Sequence, residues 1–126
     1  VNQPEVNLRG LCTTAEDGSY WFRTIKPKSY PVPVDGPVGE LLNAAGRHPM
    51  RPAHIHFMIG AEGYETLVTH IFVEGDEYIE SDAVFGVKES LVMEFISNES
   101  AEEAAELGFK APFYEVEYNF ALKKKG

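Results

Sequence analysis

Short runs of aromatic and β-branched residues, alternating with polar ones and closed by glycine or proline, dominate this chain. A hydrophobic period of two, rather than 3.6, describes strands with one buried face and excludes a helical bundle. Ser19-Tyr20-Trp21-Phe22-Arg23-Thr24-Ile25 follows the turn-forming Ala15-Glu16-Asp17-Gly18, so Leu8 to Thr14 and Ser19 to Ile25 are expected to pair as a hairpin. His54 to Ile59 is a second strand group. It ends at Gly60-Ala61-Glu62-Gly63, and Tyr64 to Val73 returns. Leu91 to Ile96 and Phe113 to Leu122 complete the set; in the last, Tyr114, Val116, Tyr118 and Phe120 share one parity. The fold class expected is all-β: an antiparallel β-sandwich with short helices and a long proline-rich loop. Val38 to Ala45, ended by Gly46, is one helix candidate. Ser100 to Leu107 is the other, with a Ser100–Glu103 capping-box spacing and Gly108 as its stop.

At 126 residues the chain has material for one core, so residues 1–126 are read as a single domain. Twenty acidic against eleven basic residues give a net charge of -9, which repels nucleic-acid phosphates and anionic lipid. Neither class of partner is expected, and no apolar run is long enough for a membrane helix. The lone Cys12 offers no disulfide framework, and no secretory leader is visible, so a cytoplasmic setting is expected.

Between the first two strand groups lies Lys26 to Pro52, which holds six of the eight prolines. A long connection stiffened in this way is usually functional. It leads into Arg51-Pro52-Ala53-His54-Ile55-His56. On a strand, residues i and i+2 share a face, so His54 and His56 lie about 7 Å apart along the backbone, close enough for two nitrogens to meet on one metal. Two histidines on a half-exposed strand face are the plainer reading of the same spacing. Tyr30, between Ser29 and Pro31 on the stiff loop, can serve as a phenolate ligand or simply pack there. Two imidazoles with a phenolate oxygen suit a hard, oxidised cation such as ferric iron, whereas a cysteine-rich zinc site is excluded.

These segments resemble one family. Lys26-Pro27-Lys28-Ser29-Tyr30-Pro31-Val32-Pro33 through Leu42, then Gly46-Arg47-His48-Pro49, then Arg51 through Phe57, are similar to the intradiol ring-cleavage dioxygenases, which include catechol and hydroxyquinol 1,2-dioxygenases. Leu67 to Phe72 and Ser81 to Lys88 are closer to the hydroxyquinol branch. The resemblance runs from about Leu8 to Leu122. It implies an iron(III) enzyme that opens a catechol-type ring between its two hydroxyls with O2, giving a muconate-type diacid. By position it implies Tyr30, His54 and His56 as iron ligands, with Tyr30 also catalytic because it leaves the metal when the diol binds. Arg51 corresponds to an active-site arginine that contacts substrate and supports ring opening; its plain alternative is a salt bridge at the strand edge. His70, Val32 and Ala83 correspond to substrate-pocket positions, and each can equally be packing. The partners implied are a small aromatic diol and O2, with a homodimer in the full-length form.

The family carries a further tyrosine ligand upstream of Leu8, and Val1 to Asn7 contain no tyrosine. With Val1 in place of an initiator methionine, the chain is expected to be the C-terminal catalytic portion of a longer enzyme. A non-catalytic β-sandwich binding module, or a fragment without iron, is the rival reading. A two-histidine zinc hydrolase completed by His48 or His70 is a third.

Overall fold

The computed structural model describes residues 4–126. They form seven strands and two helices: β1 (Tyr30–Pro31), α1 (Pro37–Ala44), β2 (Met50–Arg51), β3 (His54–Ile59), β4 (Leu67–Val73), β5 (Val92–Met93), β6 (Ile96–Asn98), α2 (Ala101–Glu106) and β7 (Phe113–Glu115). The described residues are thus mostly strand and loop with little helix. Strands pair as β1–β2, β3–β4–β5 and β6–β7. The β3–β4 hairpin is the centre of the molecule. Its antiparallel register sets His54 opposite Phe72, His56 opposite His70 and Met58 opposite Val68 on one face. Ile71, Phe72 and Val73 at the end of β4 are buried, together with Pro52 and Ala53 just before β3.

The proline-rich connection is not structureless. It carries β1, α1 and β2, and β1 folds back so that Tyr30 pairs with Arg51 and Pro31 with Met50. Pro37 begins α1, where its missing N–H costs nothing, and Gly46 follows the helix at φ +62°, in the left-handed region that favours glycine. Gly39 lets α1 lie directly on the Val34 backbone. In α2 the Ser100 hydroxyl accepts the Glu103 amide at 3.2 Å, the cap read from the sequence.

Three strand expectations are corrected. No ladder forms between Leu8–Thr14 and Ser19–Ile25; only their turn is made, with the Ala15 amide on the Ser19 carbonyl at 2.8 Å and the Gly18 amide on the Ala15 carbonyl at 2.9 Å. The aromatic residues after the turn reach elsewhere. The Tyr20 hydroxyl donates to the Tyr118 carbonyl at 2.7 Å, and Phe22 packs on Phe57 of β3 at 5.9 Å between ring centres. Side-chain stacking thus holds this segment in place of a ladder. Second, the β4–β5 pair is parallel, with Phe72 beside Val92 and Val73 beside Met93, contrary to the all-antiparallel expectation. The long connection through the 3-10 turns at Ile79–Ser81 and Glu89–Leu91 supplies the crossover such a pair requires. Third, Phe113 to Leu122 is a strand only over β7. Beyond it the chain turns to Tyr64, which bridges Lys124, while Glu65 donates to the Lys123 carbonyl.

Candidate functional site

Two short pairings bring the site together. The β1–β2 ladder puts Tyr30 across from Arg51, and Arg51 runs through Pro52 and Ala53 into β3. The Val73 amide bonds the Ala53 carbonyl at 3.0 Å, so the start of β3 is fixed on the end of β4. Phe72, wholly buried, underlies the histidines: its ring centre lies 5.6 Å from that of His54 and 4.6 Å from that of His70.

The atoms that meet there are specific. His54 Nε2 lies 3.0 Å from His56 Nε2, 3.4 Å from the Tyr30 hydroxyl and 3.2 Å from Arg51 Nη1. His54 Nδ1 lies 2.7 Å from the Pro52 carbonyl oxygen. A carbonyl only accepts, so Nδ1 carries the proton and the Nε2 lone pair of the neutral ring faces Tyr30, His56 and Arg51. Burial pushes His54 below its ordinary 6.5; the Pro52 bond opposes this, and the neighbouring Arg51, His56 and His70 add to the lowering. His56 is more exposed, yet partial burial of its ring, then His70 and Arg51, lower it in the same direction. Both rings are therefore biased toward the neutral, ligating form.

Arg51 and Asp82 form a buried fork. Arg51 Nε donates to Asp82 Oδ1 at 3.0 Å and Nη2 to Oδ2 at 3.3 Å. Val84 and Gly86 amides complete the carboxylate at 3.3 and 2.8 Å. Burial would raise Asp82, but the Arg51 hydrogen bond and these amides outweigh it and hold the carboxyl below its ordinary 3.8. Burial would likewise weaken the Arg51 charge; Asp82, and then Tyr30, more than offset it, so the guanidinium stays charged.

The structure brings Tyr30, Arg51, His54 and His56 together, with His70 beside them at 5.4 Å from His56 between ring centres. His70 Nε2 donates to the Gly86 carbonyl at 3.2 Å, so that nitrogen is not offered to the other two imidazoles. His48 lies apart: its Nδ1 accepts the Met50 amide, its Nε2 meets the Ser81 hydroxyl and its ring packs on Tyr78. Among the described residues no three His, Cys, Asp or Glu side chains gather as a metal cluster. Val32 and Ala83 flank the site through their backbones, on the Pro49 and Met50 carbonyls. A cavity of about 950 Å³, lined by Glu74, Asp76, Ile79, Glu80, Asp82 and Phe85, touches none of Tyr30, His54 and His56 and is too acidic to favour an anionic ring. Sequence reasoning missed Asp82. Its available signal was Asp82-x-Val84-x-Gly86, a carboxylate followed by amides able to turn back on it.

A strand-borne pair of imidazoles with a phenol and a guanidinium at hand defines a site able to grip a cation and stabilise an anion beside it. The family model described as "Dioxygenase" matches residues 1–124. Hydroxyquinol 1,2-dioxygenase of Rhizobium sp. (strain MTP-10005) is 59% identical over 123 residues, which are 97% of this chain and 42% of that protein. The 6-chlorohydroxyquinol 1,2-dioxygenase of Cupriavidus pinatubonensis is 62% identical over 88 residues, 70% of this chain and 32% of that protein. The solved structure of hydroxyquinol 1,2-dioxygenase from Pseudomonas putida DLL-E4 superposes with a TM-score of 0.86 at 46% identity, covering 98% of this chain and 44% of that one. The chain belongs to the dioxygenase family, in its intradiol ring-cleavage group. It spans less than half the length of these relatives.

Proposed function

We propose that the protein bearing this chain is a non-haem iron(III) intradiol dioxygenase acting on hydroxyquinol or a substituted catechol. One ring carbon–carbon bond, between the two hydroxyl-bearing carbons, breaks; both atoms of O2 enter the product, a muconate-type diacid. The observation that carries the reading is the approach of two imidazole Nε2 atoms to 3.0 Å, with the Tyr30 hydroxyl 3.4 Å from one of them. Tyr30, His54 and His56 would hold the iron, and their two neutral nitrogens and one phenolic oxygen fit a hard trivalent cation. Bound there, ferric iron supplies a Lewis acid and an electron sink for an electron-rich ring.

The remaining roles belong to the chain's own side chains. Tyr30 is 44% exposed on a two-residue strand, so it can turn aside, and as a phenolate its oxygen would take a proton from an incoming diol and become the neutral phenol. Arg51 brings a fixed positive charge to within 3.2 Å of His54 Nε2, where it lowers the energy of negative charge building on ring oxygens. Val32, His70 and Ala83 border the ring; the small side chains at positions 32 and 83 leave space for a substituent. The family's further tyrosine ligand has no counterpart in this chain, which supplies three of four protein donors. The wider architecture we propose is a β-sandwich, antiparallel except at the β4–β5 pair, closed by the proline-rich loop. Its support is the aromatic layer of Phe22, Phe57 and Phe120 behind the β3–β4 hairpin. A homodimer and a cytoplasmic setting complete the proposal.

The test is colour and turnover on the longest chain that carries this sequence. Tyrosinate bound to ferric iron absorbs visible light, so the purified protein is expected to be burgundy and to contain iron by elemental analysis. Tyr30→Phe is expected to shift the band and slow turnover. A colourless, iron-free protein would identify a binding module instead. Full turnover and an unchanged band in Tyr30→Phe would remove Tyr30 from the ligand set. Rates with catechol, a chlorocatechol and 1,2,4-trihydroxybenzene decide among substrates.

A further inference from the structure

We infer that Asp82 is a positioning residue for the ring-opening site, fixing through one carboxylate both the direction of Arg51 and the backbone turn that meets His70. The inference rests on the reading of Arg51 given above and extends it to a residue three decades further along the chain. A guanidinium has five N–H donors in a rigid fork, and its direction is set by which of them are occupied. Asp82 takes Nε and Nη2 of Arg51, which leaves Nη1 facing His54 Nε2 at 3.2 Å.

The same carboxylate is tied into its own turn. Oδ1 accepts the Val84 amide and Oδ2 the Gly86 amide, so the backbone from 82 to 86 wraps around it. The Gly86 carbonyl, the next group along that turn, accepts His70 Nε2–H. A side chain at position 86 does not fit without adjustment: its Cβ would lie 3.1 Å from both Arg51 Nη2 and Asp82 Oδ2 and 3.6 Å from His70 Nε2. Three further contacts hold the turn against β2 and the segment before it. Arg47 donates to the Asp82 carbonyl at 3.1 Å and lies over the Phe85 ring at 3.9 Å, and the Ala83 amide bonds the Met50 carbonyl at 3.0 Å. Asp82 is 3% exposed and Arg51 7%, so both ends of the fork are withdrawn from bulk water. Asp82 acts on the reacting ring only through Arg51 and the turn.

A purely structural anchor and a positioning residue differ in how Asp82 and Arg51 combine. The experiment is a double-mutant cycle on the longest iron-loaded chain, with Asp82→Asn, Arg51→Gln and the pair. Asparagine keeps the shape but presents an amide N–H toward the fork. Asp82→Asn is expected to lower kcat by about 10–100-fold, the range for groups that orient a catalytic side chain, with KM nearly unchanged. In the Arg51→Gln background the same change is expected to cost markedly less, because the Arg51 route is gone and only the turn that meets His70 is left. A readout free of iron is the Arg51 Nε–H signal in the nitrogen-15 NMR spectrum of the apo-protein, slow to exchange with water in the parent and fast in Asp82→Asn. Equal losses in both backgrounds, or a retained slow Nε–H, overturn the inference. A parent protein with no iron and no turnover overturns the oxygenase reading instead, and the NMR comparison still decides whether Asp82 sets the fork. Should Asp82→Asn fail to fold, Gly86→Ala presses on the same fork without removing charge. It is expected to show the same non-additivity with Arg51→Gln, and additivity there counts against the inference.

Discussion

Gly39→Ala is expected to destabilise the chain, against the usual rule for helices. In an unobstructed helix interior, alanine in place of glycine gains about 1 kcal/mol. Here the added methyl meets the main chain of the loop that carries Tyr30: it overlaps the Val34 carbonyl oxygen and lies 2.5 Å from the carbonyl carbon and 2.6 Å from Cα. Ordinary contact begins at 3.4 Å, so α1 and the loop must part by about 0.9 Å to clear the carbonyl carbon and by more to clear its oxygen, and overpacking of this kind costs about 1–3 kcal/mol. The obstacle is backbone, not the end of a flexible side chain, which places the cost at or above the top of that range. The net expectation is a loss of about 2 kcal/mol, or roughly 5–10 °C in Tm for a domain of this size. Differential scanning calorimetry on the parent, Gly39→Ala and the exposed control Asn43→Ala measures it; the control removes a weak helix former from the same helix and is expected to gain slightly. An unchanged or raised Tm in Gly39→Ala would refute the close seat of α1 on Val34, and with it the account of what stiffens the Tyr30 loop.

Two further outcomes concern charge and capping. Asp82 has a folded-state value held below its unfolded 3.8, so its stabilisation is fully present above 3.8 and is lost as pH falls through the lower folded value. The gap in unfolding free energy between the parent and Asp82→Asn is therefore expected to be constant near neutrality and to narrow in acid below 3.8, as measured by urea denaturation. A gap that widened in acid would contradict the pairing with Arg51. Ser100→Ala removes the hydroxyl that accepts the Glu103 amide and is expected to cost about 1 kcal/mol, seen as a lower urea midpoint with unchanged m-value.

The parts of the fold that were legible in the sequence are those whose partners are close in the chain. His54–Ile59 alternates cleanly and reaches its return strand through a glycine turn, so β3 runs between the bounds expected and pairs as a hairpin. The caps of α1 and α2 are local too, and both helices lie within a residue of their expected positions. Ser19–Ile25 shows the limit of such reading. Its aromatic content suits a strand, but propensity does not supply a ladder partner, and Tyr20 and Phe22 find Phe120 and Phe57 instead. The parallel β4–β5 pair depends on the whole crossover between the strands, which no local period encodes. At the site, the i, i+2 spacing brought His54 and His56 into view, and motif resemblance added Tyr30 and Arg51. Asp82 sits 31 positions from Arg51, and only the folded turn shows that its carboxylate faces the guanidinium.

The group that orients His54 is a main-chain oxygen, that of Pro52, where an acidic side chain could have done the same task. A scan that truncates side chains one at a time leaves this oxygen in place and registers no contribution from it. The tautomer of the first histidine is thus guarded from the main chain as well as by Arg51, through a ring-locked, wholly buried proline that has little freedom to rotate away. Sequence drift among the surrounding side chains can alter the breadth of the pocket while leaving that lone pair aimed as before.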